Sequence, residues 1–230
     1  MVKNITSGIP GLDQLLGGGF PDGSLIMVSG GTGTGKSTFA LQFLHNGATK
    51  FNEPGILISL EQEPEKLIDT AKQFGWDFED LIAKKKLAII SPSVYKFETL
   101  EEHITAAVKK LGAKRLVLDS YTIASTFFVK PEERRRGLLL LSRKIQKLGI
   151  TSLAISDVPE GKDTFSISGF EEFVVDGVVS LELLSDKSRN VFTRAVFIRK
   201  MRYIEHSLKR VPFRITNKGC IVYPEEVLFD

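Results

Sequence analysis

Short apolar runs alternate along this chain with longer segments in which apolar residues return every third or fourth position. Ser24–Ser29, Ile56–Leu60, Leu87–Ile90, Arg115–Ser120 and Thr151–Ile155 are the runs, each short enough to be a strand buried on both faces. Between them lie helical stripes. Phe39, Ala40, Phe43 and Leu44 form one, Leu67, Ile68, Ala71 and Phe74 a second over 65–74, and Leu100, Ile104, Val108 and Leu111 a third. Leu138, Leu141, Ile145 and Leu148 form a fourth, and Asp77 caps a further short helix expected to run to Lys84. Strand and helix in strict alternation predict an α/β domain with a mostly parallel sheet up to about residue 156.

The rhythm then changes. Gly177–Leu184, Arg194–Met201, Pro212–Thr216 and Cys220–Tyr223 are β-rich with no helical stripe between them, and Asn217-Lys218-Gly219 is a hairpin turn signal. A C-terminal antiparallel extension, over about 177–223, is the expectation. Before the first strand, residues 6–23 are rich in glycine and proline, with a short helical turn at Gly11–Leu16. The whole chain, 1–230, is read as one domain.

Composition changes this picture little. With 42% hydrophobic and 26% charged residues the chain can bury a sizeable core, and a net charge of +3 does not by itself call for nucleic acid. The single cysteine, Cys220, leaves no internal disulfide. No apolar run approaches the ~18 residues of a membrane span, and Met1–Thr6 lacks a signal-peptide core, so a cytoplasmic location away from membranes is expected. Lys84-Lys85-Lys86 reads better as a solvated helix end than as a nucleic-acid patch.

The candidate chemistry sits between the first strand and the first helix. Gly30-Gly31-Thr32-Gly33-Thr34-Gly35-Lys36-Ser37, followed by Thr38, fits G-x-x-x-x-G-K-[ST] at every fixed position. Glycines let successive N–H groups turn inward on an anion, and the following helix adds its unpaired N–H groups. Residues 31–38 are therefore the nucleotide-binding candidates. Lys36 would charge-pair with the outer phosphates, and Ser37 would offer a hydroxyl to Mg²⁺. Asp119 ends an apolar strand downstream of this loop, the Walker B pattern in which a carboxylate holds the Mg²⁺ shell. Glu61-Gln62-Glu63 ends another strand, at the edge where open α/β sheets place their ligands.

With these residues in view, the sequence resembles the KaiC-like ATPases of the RecA/DnaB-like branch of P-loop proteins. The resemblance rests on Gly8–Asp13 and Leu16–Gly19 before the loop, then Ser59–Glu61, Phe74–Trp76 and Leu118–Ser120. It continues through Gly169–Phe173, Lys200–Arg202 with His206, and Pro212–Thr216. It implies a RecA-like sheet and assembly into a homo-oligomeric ring, commonly a hexamer, with ATP between subunits. The family's clock protein carries two such domains in tandem, so this chain looks like a single-domain relative.

The resemblance also implies roles. Glu61 matches the glutamate that polarises the attacking water; relatives often carry a second glutamate beside it, where this chain has Gln62. Lys200 and Arg202 match the Lys-x-Arg that reaches a neighbour's γ-phosphate, and His206 a position that approaches the same group. Ser156 stands where RecA-like proteins carry a polar sensor. Three functions are open: a ring-forming regulatory or motor-like ATPase with an unidentified protein partner, a RecA/RadA-like single-strand DNA binder, and an autokinase or scaffold. The first is favoured over the second because Ser156–Gly169 carries Lys162 as its only base against Asp157, Glu160 and Asp163, a poor track for a phosphate backbone. Thr164, Ser166 and Ser168 are the hydroxyls that the third would modify. Arg134-Arg135-Arg136, after Glu132-Glu133, suits a solvated or subunit-facing helix start better than a nucleic-acid site.

Overall fold

The computed structural model describes residues 3–92, 97–159, 164–186 and 191–228. Each apolar run forms a strand: β3 (Leu25–Gly30), β4 (Gly55–Ser59), β5 (Leu87–Ile90), β6 (Arg115–Asp119) and β7 (Thr151–Asp157). Between them run α2 (Lys36–Lys50), α3 (Pro64–Lys72), α4 (Phe78–Ala83), α5 (Phe97–Leu111) and α7 (Pro131–Lys147). Asp77 does cap α4, its carboxylate accepting from the Asp80 amide at 2.9 Å. Proline at the first turn opens α3 and α7, where its missing N–H costs nothing.

Strands β8 (Gly177–Asp186), β9 (Val191–Met201), β10 (Arg210–Thr216) and β11 (Gly219–Val222) complete one 9-stranded sheet of order β11-β10-β9-β8-β3-β7-β6-β4-β5. β8 departs from expectation. It pairs parallel with β3, in register from Ile26↔Gly177 to Gly30↔Leu181, so the antiparallel part begins only at β9. Four small elements also went unread: β1 (Asn4–Ile5) paired with β2 (Phe20–Pro21), and the short helices α6 (Tyr121–Ser125) and α8 (Glu171–Val174). Residues 12–15 form the helical turn α1 (Leu12–Leu15).

Two apolar layers cover the parallel strands. Ile26, Val28, Leu57, Val117, Leu153 and Ile155 face Phe39, Phe43 and Leu44 of α2, whereas Met27, Ile58, Leu118 and Ala154 face Leu100, Ile104, Leu138 and Leu141. Burial on both faces is why these strands read as continuous apolar runs. Into the first layer the fold inserts a fully buried Arg115. Its guanidinium pairs with Glu53 at 2.6 Å, donates to the carbonyls of Thr6, Ser7 and Phe43, and lies over the Phe43 ring. Gln42 of α2 bonds both backbone groups of Cys220, and the Val222 amide donates to the Pro10 carbonyl at 2.9 Å. The P-loop helix is thus gripped by residues from both ends of the described chain.

Candidate active site

Parallel registry brings the carboxyl ends of β3, β4, β6 and β7 to one edge, with Gly30 level with Asp157 and Ser59 level with Asp119. The Gly30–Thr38 loop leaves this edge from β3 and turns into α2. Gly35 sits at the N-cap with φ 104°, a conformation other residues rarely adopt. A side chain there would also strike Ile215 and Phe213 of β10. Thr34 Oγ1 donates to the Gly31 carbonyl at 2.9 Å and ties the loop to itself. The Lys36 ammonium donates to the Gly30 and Gly31 carbonyls, each at 2.9 Å, and pairs with Asp157 at 3.2 Å.

Asp119 lies within reach of that cation's charge, and Glu61 and Asp157 lie within reach of Asp119. Asp119 is 3% exposed, and burial, with Glu61 and then Asp157 as like charges, pushes its carboxyl up to about 7 against the pull of Lys36. Glu61 accepts from Ser120 Oγ at 3.0 Å; the same Oγ accepts from the Ile123 amide and caps α6. Ser59 Oγ closes the turn behind Glu61 by bonding the Gln62 amide and carbonyl. The hydroxyl of Ser37 and the carboxylate of Asp119 are hard oxygens of the kind that bind Mg²⁺. Among the described residues no three acidic, histidine or cysteine side chains converge to cage a metal. Mg²⁺ does not ask for such a cage, since waters and substrate phosphates supply most of its ligands.

A phosphate-cradling loop beside converging acids at the carboxyl edge of a parallel sheet is the arrangement of a nucleotide-hydrolysing P-loop domain. The family described as "ATPase: KaiC" matches residues 5–227. The chain belongs to the KaiC ATPase family. A UPF0273 protein of Methanocaldococcus jannaschii is 38% identical over 99% of both chains. The circadian clock oscillator protein KaiC of Thermostichus vulcanus is 35% identical over 97% of this chain and 44% of its own length. The crystal structure of a KaiC-like protein from Pyrococcus horikoshii OT3 superposes with a TM-score of 0.89 at 39% identity, covering 97% of this chain and 100% of that one.

In this KaiC-family chain, Gly31–Thr38, Asp119 and Glu61 come together as the sequence led us to expect. Lys200, Arg202 and His206 stand elsewhere. The Lys200 ammonium donates to the carbonyls of Glu172 (2.9 Å) and Val175 (2.7 Å), and burial together with Arg202 holds its pKa below the ordinary lysine value. Arg202 pairs with Asp176 at 3.5 Å, and its amide donates to the Asp176 carbonyl, itself level with Leu25 at the start of β3. His206 Nδ1 approaches only the Ser207 carbonyl at 3.2 Å. These three residues occupy the amino edge of the sheet, away from the chain's own P-loop.

Ser156 is also set apart. Strand alternation places it with Ala154 on the layer opposite α2, where its buried hydroxyl has no partner among the described residues. The side chain that meets Lys36 belongs to the next residue, Asp157. The sequence reading used Asp157 only in the charge argument about DNA and Ser120 only in the family resemblance, and gave neither a part in the chemistry. Arg194 was missed too; its guanidinium donates to the Gly33 carbonyl at 3.1 and 3.2 Å. Nothing in its sequence neighbourhood marks it out.

The remaining candidates divide. Ser166 is buried and donates to Glu172 at 2.6 Å, Ser168 approaches Arg134 at 3.5 Å, and Thr164 is exposed. Arg134 also donates to the Phe128 carbonyl, while Arg135 and Arg136 are exposed on the first turns of α7. Glu160, Lys162 and Asp163, on which the charge argument about DNA partly rests, lie outside the described residues. No helix among the described residues is long and apolar enough to cross a membrane.

Proposed function

We propose that this chain is a Mg²⁺-dependent ATP hydrolase acting as a ring-forming regulatory or motor-like ATPase in the cytoplasm, with each active site shared between two copies. The observation that carries this reading is the strand register. Arg202 is level with Leu25, five residues before Gly30 along β3, so about 16 Å of strand separates it from its own phosphate loop. A guanidinium there serves a phosphate only if the phosphate is another copy's. A homo-oligomeric ring, a hexamer by family likeness, repeats that contact at every interface.

In the proposed reaction the Gly31–Thr38 amides and the Lys36 ammonium hold the β- and γ-phosphates. Bound with the nucleotide, Mg²⁺ neutralises charge on the transferring phosphoryl group. Ser37 and Asp119 would hold it, its charge opposing that of Glu61 and Asp157 and favouring the ionised form of Asp119. Glu61, fixed by Ser120, orients a water for in-line attack on the γ-phosphorus, releasing ADP and phosphate. Gln62 cannot accept a proton, which leaves Glu61 as the base. Lys200 and Arg202 of the neighbouring copy stabilise the transition-state charge, a contribution of about 10³–10⁵-fold where an arginine is supplied in trans. Ser156, on the far layer, would act only through Asp157, and His206 as an accessory to the trans pair.

A mixing experiment tests the shared site. Lys36→Ala is expected to be inactive and Arg202→Ala to keep only a residual rate about 10³–10⁵-fold below wild type, and subunit exchange between them should restore activity at interfaces that pair an intact loop with an intact arginine. Exchange without rescue would sink the trans assignment. Particle mass measured with and without ATP and Mg²⁺ tests the ring itself.

A further inference from the structure

At the amino edge of the sheet a buried carboxylate faces the cation pair just described. Asp176 is 3% exposed, and its two oxygens point to different neighbours. Oδ2 accepts from the Leu25 amide at 3.0 Å and from Gln146 Nε2 of α7 at 2.7 Å. Oδ1 meets the Arg202 guanidinium at 3.5 Å and Tyr203 Oη at 3.5 Å. One oxygen is fastened to β3 and α7, and the other is presented to a half-exposed cation.

The peptide around Asp176 continues the arrangement. Arg202 Nη2 donates to the Phe173 carbonyl at 3.3 Å, and the Lys200 ammonium takes the Glu172 and Val175 carbonyls. The last carbonyls around α8 and the carboxylate after it thus form an acceptor cradle for two cations, Lys200 near the end of β9 and Arg202 just beyond it. Arg202 remains 45% exposed at its side chain, so it is held and still open to a partner.

We propose that Asp176 is the positioning residue of Arg202, orienting it beside Lys200 before a neighbouring copy's phosphates arrive. The inference rests on the shared-site reading above. A free arginine loses rotamer freedom when it engages a phosphate, and a pre-oriented one has lost most of it already. The carboxylate is built for that task because Leu25 and Gln146 fix its plane. It also leaves the guanidinium a long, weak ion pair that a phosphate can outcompete.

Steady-state turnover of the full chain separates the possibilities. Asp176→Asn keeps an oxygen for the Leu25 amide and removes the charge facing Arg202. It is expected to lower kcat about 10- to 100-fold, as a displaced catalytic group does, with KM, fluorescent-nucleotide affinity and oligomeric mass unchanged. In the double variant with Arg202→Ala the two losses should not multiply, because Asp176 acts only through Arg202. Gln146→Ala, at a half-exposed helical site that does not threaten folding, frees Oδ2 and should give a smaller kcat loss with the same lack of additivity. Multiplying losses, an unchanged kcat in both single variants, or a faster Asp176→Asn enzyme would overturn the assignment, the last marking the contact as a restraint. An Arg202→Ala protein as fast as wild type would instead remove the shared-site reading beneath it.

Discussion

Replacing Asp119 with asparagine should make the nucleotide-free protein more stable while abolishing turnover. Asp119 is buried beside Glu61 and Asp157, and its carboxyl is raised from 3.8 to about 7. Between those values the native state binds a proton that the unfolded chain does not. Linkage then makes stability fall as pH rises through that window, with the full loss present above about pH 7. A shift of this size corresponds to about 4 kcal/mol at pH 8. Asparagine escapes this penalty, which already includes the opposing pull of Lys36, but brings an amide that needs partners, which reduces the expected gain to about 2 kcal/mol. For a domain of this length that is a melting temperature higher by about 4–8 °C. The assay is thermal or urea unfolding of both proteins in EDTA at pH 8 and pH 4.5, where only about 1 kcal/mol of the charge penalty remains and the advantage of asparagine should disappear. Mg²⁺ and a non-hydrolysable nucleotide should reverse the order by binding the native wild type selectively. An Asp119→Asn protein no more stable than wild type at pH 8, or a gap that ignores pH, would refute the electrostatic account.

Other outcomes follow from contacts already described. Ser120→Ala releases Glu61 and uncaps α6, so kcat should drop about tenfold with nucleotide affinity intact and about 1 kcal/mol of stability lost, read by kinetics and melting. Glu53→Gln leaves the Arg115 guanidinium buried without its counter-charge and should cost about 3–5 kcal/mol in urea unfolding. Burial pushes the Cys220 thiol up to about 12, so a thiol reagent should label the native protein at pH 8 only as fast as it unfolds, and labelling within seconds would contradict the packing of β11 on α2.

What the sequence disclosed depended on the range of each interaction. The P-loop was legible because its chemistry is written in eight consecutive residues, and the buried strands because both faces are covered. β8 was misplaced because Val178, Val179 and Leu181 are apolar whichever way the strand runs; only its pairing with Ile26–Gly30 makes it parallel. α6 and α8 are too short to show a period. The Ser120–Glu61 and Lys36–Asp157 contacts join residues from different βα units, and no local pattern encodes them. One residue of alternation separates Ser156 from Asp157 and sends their side chains to opposite layers. Asp176 was passed over because a lone acid before a strand is common, and its meaning depends on Leu25, Gln146 and Arg202 arriving together.

The hydrogen bond between Val222 and Pro10 sets the two ends of the fold side by side on the α2 layer. A glycine–serine linker joining the segments that lead away from Pro10 and Val222 would make the backbone a closed loop, and the exposed turn at Lys84-Lys85 could become the new opening. Such a circular permutant keeps the P-loop, the acids and the amino-edge cations on uninterrupted chain. It would carry its attachment points to the far edge of the sheet, giving a handle for labels or surfaces.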